Sequence, residues 1–321
     1  LWILGVALLS GACSGGGAPL TPTPPMPAGT PSPMPVSTIS GRVAATNGGG
    51  ALTGVSVEFN GQRAITDANG SFSYETPATV SLLSVTGAGI LSRGVVLNAS
   101  TSRDLSVDAI TLSGAFDLDF YRKFVRDGYE GPTALQPLRR WTRTPSFYLK
   151  TVDEAGSPLT DATLATIETV LRDGVPRWTG GALGTPAIER GTATREGQSG
   201  WITVKFPFPG NPNYCGHAQV GVDGGWIELE MHGNGALCRT ASSLIAPRTI
   251  RHELGHALGF YHTGDNRDVM SGLTWFLSQG DDLPTARELY HAALAYKRPV
   301  GNRDPDNDPT SAVTLAPMAV H

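Results

Sequence analysis

The sequence predicts a multidomain chain, a small all-β sandwich followed by an α+β domain. Three observations carry this reading. Between residues 39 and 112, short alternating runs of apolar and polar residues are broken by Gly, Asn and Asp every ten or so positions, the rhythm of a sandwich. From residue 145 onward, strand-like runs are interspersed with stretches whose apolar residues recur at three- and four-residue steps. A length of 321 residues with 40% hydrophobic content also suits about two domains better than one. The formal net charge is −4, only 16% of residues are charged, and no basic block occurs. That balance excludes nucleic acid as a partner, because phosphate neutralisation needs clustered Lys and Arg.

The first element, residues 1–13, is an apolar run (LWILGVALL) followed by Ser10, Gly11, Ala12 and Cys13. The run is about half of what a membrane-spanning helix needs and fits a signal-peptide core. Small residues just before a cysteine resemble the lipobox of bacterial lipoproteins. The resemblance implies export, lipidation at Cys13 and attachment to a membrane through that lipid. No initiator Met or basic segment precedes the run, which reads as a truncated start. Residues 14–38 form a Pro/Gly-rich linker. Eight of the 24 prolines lie between Pro19 and Pro35, and no Asp, Glu, Lys or Arg occurs before Arg42. Such a stretch has little to bury and reads as an extended stalk.

Residues 39–112 carry the strand runs ISGRVAA, VSVEFN, RAIT, SFSYET, VSLLSV, GVVLN and RDLSV. Gly61 and the Asp67–Gly70 stretch read as hairpin turns. The stretch from Ser40 to Tyr74 resembles the carboxypeptidase regulatory-like domain, which implies a transthyretin-like sandwich. It shows no chemistry of its own and reads as a spacer or binding module. Residues 113–144 form a connecting segment, with an amphipathic stretch from Phe116 to Arg126 that packs on the next domain.

Within 145–298, strands are expected at 145–152, 201–206 and 226–231. Helices are expected from Asp161 to Arg177, capped by Thr160 or Asp161, from 244 to 260, and from Pro284 to Tyr296. The middle helix contains His252-Glu253-Leu254-Gly255-His256-Ala257-Leu258-Gly259-Phe260-Tyr261-His262. Histidines four apart share a helix face, so His252 and His256 reach one metal ion. Glu253 sits one residue round, where a general base for a bound water is needed. Gly259 ends the helix in a left-handed turn that returns His262 as third ligand. Three imidazoles leave a fourth tetrahedral position open, the arrangement of a catalytic zinc site. Three of the seven histidines of the chain fall in this one window.

This HExxHxxGxxH pattern, with Asp268-Val269-Met270-Ser271-Gly272 following, resembles the metzincin metalloendopeptidases and, by its spacing and Asp265, their matrixin branch. The resemblance implies an α+β zinc protease fold, one catalytic Zn2+, a peptide or protein substrate, and Met270 as a hydrophobic floor beneath the metal. It also places an edge strand before the helix, a position that residues 226–231 (WIELEM) occupy, where extended substrate would pair. A different class of function stays beside it: a cell-surface adhesion or binding lipoprotein with an idle zinc fold, against which the intact Glu253 argues.

Cys215 and Cys238 bracket the WIELEM run. In an exported protein they read as a disulfide worth about 3 kcal/mol on the loop-entropy model. The rival is a structural metal site from Cys215, His217, His232 and Cys238. His291 and His321 carry no signal. Asp304, Asp306 and Asp308 alternate like a calcium loop but lack its Gly and Glu, so Ca2+ is unsupported. Residues 299–321 read as a flexible tail.

Overall fold

The chain divides into a first unit, Leu1–Pro35, which lies outside the described residues, and a second, Val36–His321. A computed structural model describes residues 36–59, 61–77, 82–96, 104–210, 214–231, 245–272, 283–303 and 313–314. Cys13, His232, Cys238, Asp304, Asp306, Asp308 and His321 fall outside them. Within them the fold is mixed α/β with several sheets and few helices.

Alternation builds the first part, through β1 (Val36–Ala45), β2 (Ser56–Phe59), β3 (Gln62–Ile65), β4 (Ser71–Pro77), β5 (Leu82–Thr86), β6 (Arg93–Val96) and β7 (Asp104–Ala109). In β7, Leu105, Val107 and Ala109 are buried and Asp104 and Ser106 exposed, the period of two that a half-buried strand requires. One sheet runs β4-β1-β7. The other runs β6-β5-β2-β3, with a two-residue β13 (Val313–Thr314) added beside β6. Ile39, Val43, Phe72, Leu105 and Val107 from the first sheet meet Val57, Phe59, Leu83, Val85 and Val95 from the second in one core. The Asp67–Gly70 stretch is a turn: the Asp67 carboxylate accepts from the backbone N–H of Asn69 and of Ser71, both at 2.8 Å.

The second part consists of α1 (Leu118–Arg126), β8 (Ser146–Lys150), α2 (Asp161–Trp178), β9 (Ile188–Gly191), β10 (Trp201–Lys205), β11 (Gly216–Ala218), β12 (Trp226–Leu229), α3 (Pro247–Ala257) and α4 (Ala286–Tyr296). Its sheet has the order β11-β12-β10-β8-β9, parallel except for β11. Central strands covered on both faces read as continuous apolar runs, hence Phe147, Tyr148 and Leu149 of β8 and Ile202, Thr203 and Val204 of β10 are all buried. Thr160 caps α2 by accepting from Thr163 N–H. Leu164, Ile167, Leu171 and Val175 face the core. Gly174 lets α2 lie close on α3, since a Cβ there would overlap Leu254.

Segment 113–144 supplies α1, whose Phe120, Tyr121, Phe124 and Val125 belong to the same core as α2 and α3. Each such side chain contributes about 1.5–3 kcal/mol of burial. Phe124 stacks on Phe260 at 4.6 Å, and Trp141 Nε1 donates to the Ala257 carbonyl at 2.9 Å, so this segment is bonded directly to the end of α3. The stretch expected to be loose from Pro299 is, as far as residue 303, tied down. Gly301 N–H donates to Leu138 O, Leu138 N–H to Asn302 O, and Asn302 is buried.

Candidate metal centre

Pro247 at the first position of α3 costs no hydrogen bond, and the helix carries His252, Glu253 and His256 inward before stopping at Ala257. Gly259 has φ +111°, and a Cβ there would overlap the Arg139 carbonyl oxygen. The position therefore demands glycine twice over, for its dihedral and for the approach of the backbone. Beyond the turn, Tyr261 N–H donates to Phe124 O at 2.7 Å, and the next residue, His262, comes back against α3.

The three imidazoles converge through Nε2. The His252–His256, His256–His262 and His252–His262 Nε2 separations are 3.1, 3.0 and 3.2 Å. Each Nδ1 faces an acceptor: Val269 O at 2.7 Å for His252, Phe260 O at 2.8 Å for His256, and Glu130 Oε1 at 2.6 Å for His262. An acceptor opposite Nδ1 places the ring proton there and leaves Nε2 with its lone pair. Three lone pairs then point at one another, an arrangement that only a shared cation makes favourable. Tetrahedral zinc with Zn–N of about 2.0–2.1 Å needs nitrogen–nitrogen edges of about 3.3–3.4 Å, within a few tenths of those observed. The residues therefore fit a zinc ion. Burial, reinforced by the neighbouring His262, holds the His252 imidazole down to about 3, and burial likewise lowers His256 far below the usual histidine range. Both rings are neutral at pH 7, as ligands must be.

Glu253 is buried beside this cluster, and its Oε2 has no hydrogen-bond partner among the described residues. Burial first, and the Glu228 carboxylate second, raise its pKa well above the usual range. Space for it is left by Gly216 of β11, where a Cβ would lie 2.6 Å from Glu253 Cγ. Met270 is fully buried, and its sulfur lies so close beneath Gly255 that a Cβ there would overlap it. The turn bearing Met270 is fixed from several sides. Met270 N–H donates to Glu288 Oε1 and Thr263 N–H to Met270 O, both at 2.8 Å. The Asp268 carboxylate accepts from Thr263 Oγ1 at 2.7 Å and Arg287 Nη2 at 2.8 Å.

Among the described residues, His252, His256 and His262 are the one group of three or more His, Cys, Asp or Glu side chains that converges on a point. Two members of the rival metal site, Cys215 and His217, are among the described residues. Cys215 is buried, whereas His217 is exposed and meets Trp226 edge-on at 5.2 Å. His232 and Cys238 lie outside the described residues. The expectation that residues 226–231 form the sheet edge is corrected: β12 lies between β10 and β11, because Gly216–Ala218 fold back antiparallel against Ile227–Leu229. The outermost described strand on that side is β11. Sequence reasoning missed Glu130, Gly216 and Glu288, and it placed Asp268 in the Met270 motif without its bonds to Thr263 and Arg287. Only Glu288 carried a readable local signal, the Thr285-x-x-Glu288 capping box at the start of α4. His291 is buried, its Nε2 accepting from Asp117 N–H. No described helix is long and apolar enough to cross a membrane.

No protein-family model matches the chain, and no curated protein matches it. Among solved structures, two interface mutants of a type II cohesin–X-dockerin complex from Acetivibrio cellulolyticus are similar at 27% and 24% identity over 22% and 23% of this chain, with TM-scores of 0.19 and 0.20. The match spans 51% and 58% of those chains, little more than half their length. Metalloproteinase-II from Bacteroides fragilis is similar at 9% identity over 82% of this chain and 87% of that one, with a TM-score of 0.31. None of the three reaches a TM-score of 0.5, and the chemistry that follows rests on the geometry of the histidine cluster.

Proposed function

We propose that the chain is a zinc-dependent metalloendopeptidase of metzincin-like, matrixin-like type, exported and anchored to a bacterial envelope through lipid on Cys13. One observation carries the catalytic part: three imidazole nitrogens about 3 Å apart, each with its opposite nitrogen on an acceptor, beside a buried carboxylate with a free oxygen. His252, His256 and His262 would hold a zinc ion, which would supply Lewis acidity toward a scissile carbonyl and toward water. Glu253 takes the proton of the attacking water on its unpartnered Oε2 and delivers it to the leaving amine. Burial beside the histidines and a free carboxylate oxygen suit Glu253 to that shuttle. Met270 O and the Asp268 carboxylate both bond Thr263 and so hold the chain that follows His262. The outer edge of β11 offers main-chain hydrogen bonds to an extended peptide, which explains binding without sequence reading.

Pairing of Cys215 with Cys238 is part of the proposal. The burial of Cys215 and the engagement of its sulfur in a disulfide support it. Localisation rests on the apolar start, Cys13 and the proline stalk, and mass spectrometry of the mature chain tests it by the lipid mass on Cys13.

The function is tested with Glu253→Gln and with Ala at position 252, 256 or 262. The glutamine variant is expected to hold stoichiometric zinc and lose cleavage of casein or gelatin by at least about a hundredfold. The alanine variants are expected to lose zinc by elemental analysis. Cleavage unchanged in Glu253→Gln, or insensitive to a chelator in the parent chain, refutes the peptidase reading.

A further inference from the structure

We propose that Glu130, on the segment that precedes the catalytic sheet, is a positioning residue that orients His262 and strengthens its hold on the metal. The proposal rests on the reading of the three histidines as ligands. The ligands are not held alike. His252 and His256 ride on α3 and are oriented by backbone carbonyls of nearby chain, Val269 O and Phe260 O. His262 stands beyond the Gly259 turn, on irregular chain, and its Nδ1 partner comes from 132 positions upstream, a Glu130 carboxylate oxygen 2.6 Å away.

The element that delivers Glu130 is built for the purpose. Asp127 ends α1 in the left-handed conformation, at φ +61°. Gly128 N–H donates to Arg122 O and Gly131 N–H to Asp127 O, forming a tight turn that displays Tyr129 and Glu130 together. The Tyr129 ring lies against two glycines that flank the metal-binding chain. A Cβ at Gly264 would meet Tyr129 Cε2 at 3.0 Å, and one at Gly272 would meet Tyr129 Cε1 at 3.0 Å and His262 Cβ at 3.3 Å. With the Phe124–Tyr261 backbone bond and the Phe124–Phe260 stack, residues 124–130 clamp residues 260–264 at both ends. The carboxylate then does what a carbonyl does less strongly. It fixes the tautomer and ring plane and increases the donor strength of Nε2.

The Glu130 side chain is 58% exposed, so its removal leaves no hole in the core. In the full chain, Glu130→Ala is expected to weaken zinc binding about 10- to 100-fold in competition with a chromophoric chelator. Glu130→Gln, which keeps an acceptor and drops the charge, is expected to fall between the two. The visible spectrum of the cobalt-substituted protein is expected to shift in Glu130→Ala, while the metal-free melting temperature stays that of the parent. Zinc affinity and cobalt spectrum unchanged in Glu130→Ala, alongside zinc loss in His262→Ala, overturn the role of Glu130 and leave the metal centre standing. Zinc retained by His262→Ala overturns both. A lowered metal-free melting temperature without a change in zinc affinity assigns Glu130 to stability and also overturns the proposal.

Discussion

A methyl group at position 216 would lie 2.6 Å from Glu253 Cγ and 2.7 Å from its Oε1. Nothing flexible but the glutamate itself can yield, so Gly216→Ala is expected to push the carboxylate from its seat while leaving the three imidazoles in place. The expected outcome is stoichiometric zinc, a stability loss of about 1–3 kcal/mol, and cleavage reduced tenfold or more. A variant that cleaves at the parent rate shows that Glu253 tolerates displacement. Gly216 differs instructively from Gly259. Gly259 was legible because a helix must stop before His262 can return, and its spacing in the motif says so. Gly216 sits in a three-residue strand 37 positions from Glu253, and no periodicity links a strand glycine to the helix packed under it. Glu130 escaped for the same reason: contacts between distant segments leave no local pattern.

Among the elements, the helices were read to within a few residues, since amphipathic spacing and capping are local. Thr160 and Thr285 both cap the helices they precede. Strand order was not legible, because β12 looks the same in sequence whether or not β11 folds back to cover it. The role of α1 was half visible: its apolar face announced packing, but not which histidine its following turn would touch. That helix also explains His291 of α4. The ring is fully buried among Phe116, Phe120, Tyr121 and Tyr290. Its Nδ1 donates to Arg287 O and its Nε2 accepts from Asp117 N–H, at the N-cap of α1. Burial lowers its pKa below the ordinary 6.5, against the raising effect of the Arg287 carbonyl and Asp117 and with a small lowering by the Arg287 charge. Between the folded value and 6.5 the unfolded chain binds a proton that the folded chain refuses. Stability supplied by the neutral ring is therefore complete above about pH 6.5 and declines as pH falls through that range. His291→Gln is expected to be less stable at pH 7, yet to lose less further stability between pH 7 and pH 5 than the parent does. Denaturant midpoints at several pH values measure this, and parallel slopes for the two proteins refute it.

At the scale of the whole described unit, the sandwich is joined to the second part by more than a linker. Leu91 and Ile110, at the end of the sandwich, belong to the core of the second part, and Leu91 N–H donates to Ile110 O. Asp108 of β7 gathers three donors. They are Arg93 Nη1 from β6 in the opposite sheet, Thr46 Oγ1 at 2.7 Å, and Arg298 Nη1 at 3.0 Å from just beyond α4. The side chains of Arg93 and Arg298 are 3% and 0% exposed, that of Asp108 34%, so one partly solvated carboxylate faces two buried guanidinium groups. Nearby, Lys297 Nζ donates to Thr46 O at 3.3 Å. Removing a charge opposite buried cations costs about 3–5 kcal/mol in a dry interior, and solvent reaching Asp108 brings the expectation down to about 1–3 kcal/mol. The location of tryptophan makes the consequence measurable. No tryptophan lies between residues 36 and 112, whereas Trp141, Trp178, Trp201 and Trp226 all lie in the second part. Asp108→Asn, a change within the sandwich that preserves side-chain size, is therefore expected to lower the midpoint of unfolding followed by tryptophan fluorescence. A sandwich that served only as a free spacer would leave that midpoint where it is in the parent, with the loss confined to the sandwich's own Tyr74 and β-sheet signals.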